Sequence, residues 1–374
     1  EEVMVTGRVQ DGDGTGEWSD DVCVSDGAVY IAGKEGHYAT LWKNGVAQHL
    51  TDRSDDGRAF SVYVSGDDVY VAGIENRCAV LWENGVRQRL TDGSTMVWIE
   101  SVFVSGSDVF VSGEEYNEED KYIAKIWKNG KVQELSNGEH NAYASSVFVS
   151  DSDVYVAGYE VNEKGNIVAI LWKNGEPHSL TDGKKNAWAR SVYVSDGDVY
   201  VAGEESGIVK VWKNGVPADI SRGTAKSIFV SGGDVYVAGN EGSSTSERGR
   251  ATLWKNGFSD NDLADDYGTF ANAVFVSGDD VYVAGESFGD VAVFWKNGEI
   301  HNLTYIPSRD DDENYDDSYD EEPEYNTINE LRGYVGQGNA KALLEYVNYL
   351  TPEQQEETET DFTFDKKNTV ISII

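Results

Sequence analysis

A phrase of thirteen residues returns along this chain. It reads SVYVSGDDVYVAG at residues 61–73, SVFVSGSDVFVSG at 101–113 and SVYVSDGDVYVAG at 191–203. Within it, apolar residues alternate with small or polar ones on either side of a Ser-Gly-Asp-type break. That is the pattern of two short strands joined by a tight turn. A second phrase follows each time, as AVLWENGVRQRLTDG from Ala79. Its Asn-Gly pair tolerates the positive φ angles of a type I′ hairpin turn. One repeat therefore reads as four strands.

Seven repeats start at Asp21, Ser61, Ser101, Ser146, Ser191, Ser227 and Ala273, spaced by 40, 40, 45, 45, 36 and 46 residues. The tryptophans of the second phrase, Trp42, Trp82, Trp127, Trp172, Trp212, Trp254 and Trp295, give the same count. A period near 40–45 with four strands is that of a propeller blade. A lone four-stranded sheet cannot bury both faces, whereas seven packed in a ring can, with their edges protected. The fold expected is all-β: a seven-bladed β-propeller of four-stranded antiparallel blades over residues 1–305, with a strand at residues 3–9 completing or flanking the last blade. The recurring tryptophans are expected in the packing between blades. The LWKNG segments at 41–45, 171–175 and 253–257 resemble the propeller repeats of uncharacterised secreted or surface bacterial proteins. The resemblance covers the seven repeats and not the tail, and it implies architecture rather than chemistry.

The net charge is −37. Such a surface repels nucleic acid and anionic membrane, whose binding depends on Lys and Arg meeting phosphates. No apolar run approaches the roughly 20 residues of a membrane span. The chain opens at Glu1 without Met, which is read as a processed terminus and gives the expectation of a secreted or bacterial cell-surface protein. Cys23 takes the place of the repeat's Tyr and Cys78 aligns with Tyr38, so both read as single-repeat substitutions. Residues 306–325 form an acidic linker, in which ten carboxylates stand against Arg309. Residues 326–374 are expected as a small appendage. Leu343, Leu344, Val347 and Leu350 sit there at helical spacing, and the alternation near the end suggests a strand.

Length changes gather between the second and third strands, as in KEGHY at 34–38, EEYNEEDKYI at 114–123 and NEGSSTSERGR at 240–250. In a blade these loops share a face with the loops joining blade to blade, and a rigid scaffold presenting variable loops is a common binding arrangement. Two sets of ligand-binding candidates fall on that face. Trp18, Trp98, Tyr143, Trp188 and Phe270 stand three positions ahead of a first strand, interrupted by Arg58 and Thr224. They form either an aromatic rim able to stack on sugars or cations, or wedges between blades. Glu35, Glu75, Glu115, Glu160, Glu205 and Glu241 stand two residues after the second strand's final Gly. They either bond within their own blades or converge on the channel mouth, where their repulsion would favour a cation or a basic ligand.

Catalytic motifs are missing. The five histidines, His37, His49, His140, His178 and His301, show no ligand spacing, and there is no Gly-x-Ser-x-Gly or Cys-x-x-Cys. The one metal candidate is a partial Ca²⁺ loop, with Asp11, Asp13, Thr15 and Glu17 at alternate positions but Val22 where a bidentate Glu is required. A weak Ca²⁺ site is the only cofactor considered. The chain is accordingly read as a non-catalytic exported binding or scaffold protein that holds a glycan, peptide or protein partner on its loop face. A structural subunit assembling through its terminal strands is the alternative, and a carboxylate-based glycan hydrolase or lyase comes third.

Overall fold

Each Asn of the Asn-Gly turns lies in the left-handed region, with φ from 50° to 52° at Asn44, Asn84, Asn129, Asn174, Asn214, Asn256 and Asn297. The residue type that best tolerates this conformation thus sets the hairpin between third and fourth strands. The structure is a computed structural model. It describes residues 18–303 apart from 53–55, 243–248, 264–267 and 288–290, together with 362–364 and 370–373. Among these residues every element is a strand and there is no helix. The chain divides into two modules, Glu1–Ile306 and Pro307–Ile374. In the second, Phe362–Phe364 pairs antiparallel with Val370–Ile373, giving a hairpin where one strand was expected. The Ca²⁺ loop at Asp11–Glu17, the strand at 3–9, the acidic linker and the helix around Leu343 all lie outside the described residues.

The first repeat shows the pattern. Strands Trp18–Ser25, Ala28–Glu35, Tyr38–Lys43 and Val46–His49 hydrogen-bond in sequence order, all antiparallel. Five such four-stranded sheets are present, plus one of seven strands that joins the fifth and sixth repeats. The joint is a single strand, Val216–Ser231. It pairs with the fifth repeat as far as Arg222 and with the sixth from Gly223. The 36-residue spacing, shorter than the rest, is the cause, because it leaves no residues for a connecting loop.

Seven core clusters lie between neighbouring repeats. One of them packs Val22, Ile31 and Trp42 of the first repeat on Ala284, Phe294 and Leu303 of the seventh. The seven recurring tryptophans are at most 2% exposed. Burying one indole contributes roughly 4–6 kcal/mol of gross transfer free energy, which makes these rings the main packing element of each interface. The architecture is all-β and propeller-like.

Two repeated devices fix the sheets. At the outer turn the Asn side chain accepts a bond from the second strand and donates to its first Asp. Asn214 thus bonds the Val199 N–H and Asp198, both at 2.8 Å or less. The preceding Lys213 meets the same Asp198 at 2.7 Å and lies over the Tyr200 ring. The same group recurs at Lys173, Lys255 and Lys296. Lys-Asn-Gly is therefore a structural cassette. Between repeats, the Ser opening four of the phrases accepts from the next repeat's backbone: Ser61 from Val102, Ser191 from Ile228 and Ser227 from Val274 at 3.1 Å, and Ser146 from Val192 at 3.3 Å. Asp21 replaces this Ser in the first repeat and accepts from both Val62 N–H and Ser61. Cys23 and Cys78 are free and buried, as expected of substitutions within the repeat.

Candidate functional site

The first strand of every repeat carries a β-bulge at one register. Pairing skips a residue between Ser19 and Asp21, Ala59 and Ser61, Ala144 and Ser146, Ala189 and Ser191, Ala225 and Ser227, and Ala271 and Ala273. In the third repeat it skips between Ile99 and Ser101. A bulge leaves one residue unpaired and re-aims its side chain. Opposite it stands the phrase's final Gly, and the reason is close approach: a Cβ on Gly158 would lie 1.9 Å from the Tyr143 carbonyl and 2.8 Å from the Trp172 ring.

The bulged residues are Asp20, Phe60, Glu100, Ser145, Arg190, Lys226 and Asn272. All seven line one cavity of about 200 Å³, together with Tyr143 and Tyr159. They are seven different amino acids at one structural position. A second tier runs alongside. Tyr63, Phe103, Phe148, Tyr193, Phe229 and Phe275 form a chain of ring contacts through repeats two to seven, with centroids 4.6–4.8 Å apart. Cys23 holds the corresponding place in the first repeat, in a cluster on which Phe275 packs. Burial pushes its thiol up to about 12, so it stays protonated.

The charges at the cavity are unevenly matched. Arg58 grips Asp20 through two bonds of 2.9 and 2.5 Å. Arg190 holds Glu204 at 2.9 Å and lies over the Tyr159 ring. Asn272 bonds Glu286 at 3.1 Å. Glu114 is 3% exposed and its Oε2 has no partner. Burial, with Glu100 adding to it, pushes the Glu114 carboxyl well above the usual range. Glu100 is pushed up to about 7, chiefly by desolvation, against the pull of Arg190, Lys226 and Arg58. Desolvation and the Arg190 charge lower the Lys226 ammonium. Glu100 and Lys226 remain exposed by area while protein surrounds them, because both face the cavity.

Of the eleven ligand-binding candidates expected from sequence, only Tyr143 lines this cavity. The aromatic positions do not precede the first strands but belong to them, each paired with the second strand, as in Trp18↔Lys34, Trp98↔Glu114 and Trp188↔Glu204. None is buried; Trp98 is 41% exposed and Phe270 36%. Tyr116, Tyr122, Tyr143 and Tyr159 make a continuous run of ring contacts that ends at the cavity.

The acidic set does not converge. Glu35 meets His49, Glu75 meets Arg87, Glu115 meets Lys125, Glu205 meets Lys210 and Glu241 meets Arg250, each within its own repeat. Glu160 is raised by burial, with His140 opposing. None of the six lines the cavity. Alternation explains this: the residue one place earlier on the second strand, Tyr159, Glu204 or Glu286, is the one that meets the bulge side. His49 and His301 lie in outermost strands and stack on Tyr38 and Phe294, whereas His178 is exposed. A larger open groove of about 580 Å³ lies beside Thr95, Glu115 and Lys125, but these side chains satisfy one another. Among the described residues no three His, Cys, Asp or Glu gather as metal ligands.

No family model matches this chain, and no curated protein is similar to it. Among solved structures it is similar to a puromycin-hydrolysing peptidase of Mycobacterium tuberculosis (TM-score 0.47, 14% identity, 76% of this chain and 53% of that one). It is also similar to a prolyl endopeptidase (0.49, 14%, 77% and 50%) and to the Pyrococcus horikoshii acylaminoacyl peptidase (0.48, 15%, 77% and 52%). The chain spans about half the length of these proteins, and the likeness is one of propeller fold. The neighbours are peptidases, and the expectation of a non-catalytic binding or scaffold protein finds no support in them. Only the propeller domain of these peptidases aligns.

Proposed function

We propose that the seven repeats close into a seven-bladed β-propeller and that the protein works at the cavity on its axis, where it receives a small organic ion as substrate. The observation carrying this reading is that a single cavity touches the bulged residue of every repeat, and that these residues are all different. Packing of the seventh repeat on the first supports closure, as do the bonds from Ser19 to Gly285 and from Asn272 to Ser19. Seven equal side chains would give a ring without a preferred orientation. Seven unequal ones define a single pose.

At about 200 Å³ the cavity is below the range of about 300–1,000 Å³ common for drug-sized ligands, so the substrate is small. Glu100, whose carboxyl is pushed up to about 7, is the group suited to exchange a proton with it, and Lys226 supplies positive charge. The test is a thermal-shift panel of amino acids, dicarboxylates and small amines on the full chain, with each mixture followed by mass spectrometry for turnover. Ser145→Trp, which fills the cavity, is expected to abolish the strongest shift, and Trp188→Ala to leave it. A shift that survives Ser145→Trp places the substrate elsewhere.

A further inference from the structure

We propose that the ligand of this cavity is amphoteric, a small molecule with an anionic group at one end and an ammonium at the other. The proposal rests on the cavity being the working site. It follows from removing the charges that the protein already satisfies. Asp20 is taken by Arg58, and Glu204 by Arg190. One acid and one base remain on the wall, Glu100 in the third repeat and Lys226 in the sixth. Among the described residues neither makes an ion pair.

A lysine without a carboxylate partner is unexpected in a chain with 67 acidic residues against 30 basic ones. It stands in a cavity whose one other base, Arg190, is paired. Two unpaired charges of opposite sign, each partly removed from water, are costly unless something pairs with them. Had stability alone selected them, they would be neutral residues, as Ser145 and Asn272 are at the same register. A ligand bearing one charge would satisfy one residue and leave the other desolvated, and sites with a polar group left unpaired discriminate strongly. An amino acid satisfies both. The rest of the wall is Asp20, Ser145, Arg190 and Asn272 with Phe60 and the Tyr143 and Tyr159 rings, a mainly polar lining that suits a short spacer between the two charges.

The experiment is calorimetry on the full chain with glycine, β-alanine, 4-aminobutyrate and 6-aminohexanoate, against butyrate and butylamine. At least one amino acid is expected to bind about tenfold or more tighter than either single-charge probe, as one added charge-assisted hydrogen bond implies. Lys226→Met is expected to bring that amino acid down to the level of butylamine, and Glu100→Gln to the level of butyrate. Melting curves of both variants check that each is folded. If butyrate or butylamine binds as tightly as every amino acid, the amphoteric assignment is overturned while the cavity stands as the site. If an amino acid binds equally well to both folded variants, the site is elsewhere and both readings fall. Binding by none of the six probes overturns the assignment.

Discussion

At the outer Asn-Gly turn, the repeats use nearly the same residues seven times. At the inner bulge they use seven different ones. Both positions are set by the same backbone, so geometry does not account for the contrast. At the turn every side chain is committed to holding the hairpin. The Asn takes the left-handed conformation, accepts from the Val N–H and donates to Asp, while the Lys spans Asp and Tyr. At the bulge the backbone needs only a residue, and the side chain is free to answer to something else. Electrostatics follows the same division. Bonds from Lys and Asn hold Asp108, Asp153, Asp198, Asp234 and Asp280 below the usual carboxylate range. Desolvation near the bulges pushes Asp21 up to about 6 and Glu100 up to about 7.

The largest expected effect lies in the shared framework. Trp82→Ala should cost roughly 3–5 kcal/mol in urea denaturation, as truncation of fully buried aromatics does. A loss below about 1 kcal/mol would mean that the repeat tolerates its own consensus being broken.

Next comes pH. A carboxyl raised in the folded state keeps a proton that the unfolded chain releases. Stability therefore climbs as pH falls from 8 towards 5, by at most about 1.4 kcal/mol per pH unit for each such proton. Below about pH 4 the cassette aspartates reverse the slope, because the unfolded chain then takes up protons that they refuse. The denaturation midpoint should peak near pH 5, and Glu100→Gln should flatten the limb above it. A steady fall from pH 8 to pH 3 would erase the electrostatic difference between the two regions. Smaller again, Asn214→Ala removes a backbone acceptor and the left-handed residue, and should cost about 1–2 kcal/mol by the same denaturation. Lys226→Met should change stability by no more than about 0.5 kcal/mol. A cost above about 1 kcal/mol would make the bulge residue structural and close the gap between the two regions.

The architecture was legible because a repeat writes its demands several times. Trp42 to Trp295, the Asn-Gly turns and the period near 40 carried it. The cavity was hidden for the same reason. Attention to what recurs passes over Asp20, Phe60, Glu100 and Lys226, each immediately ahead of the phrase and each unlike the others. The signal was there as the one variable position against a constant flank. Period-two reasoning also fails at this point, because a bulge shifts the parity of everything beyond it. The acidic series Glu35 to Glu241 stands one residue away from the side that meets the bulges. The continuous strand Val216–Ser231 left a trace in the 36-residue spacing, but a spacing does not say whether a shortened link becomes a tight turn or disappears.

That strand also bears on how the proposed ring comes apart. Between the fifth and sixth repeats the backbone is one uninterrupted hydrogen-bonded ribbon, so separating them means breaking strand pairing. Between the seventh and first no such ribbon crosses among the described residues, and side-chain bonds at Ser19 and Asn272 with one apolar cluster hold the two surfaces together. A closed band with one weld and one clasp opens at the clasp. Exchange of buried amides with solvent would begin beside Val22 and Phe294 and reach Ile228 last, and any large molecule gaining entry from the side would come through that same gap.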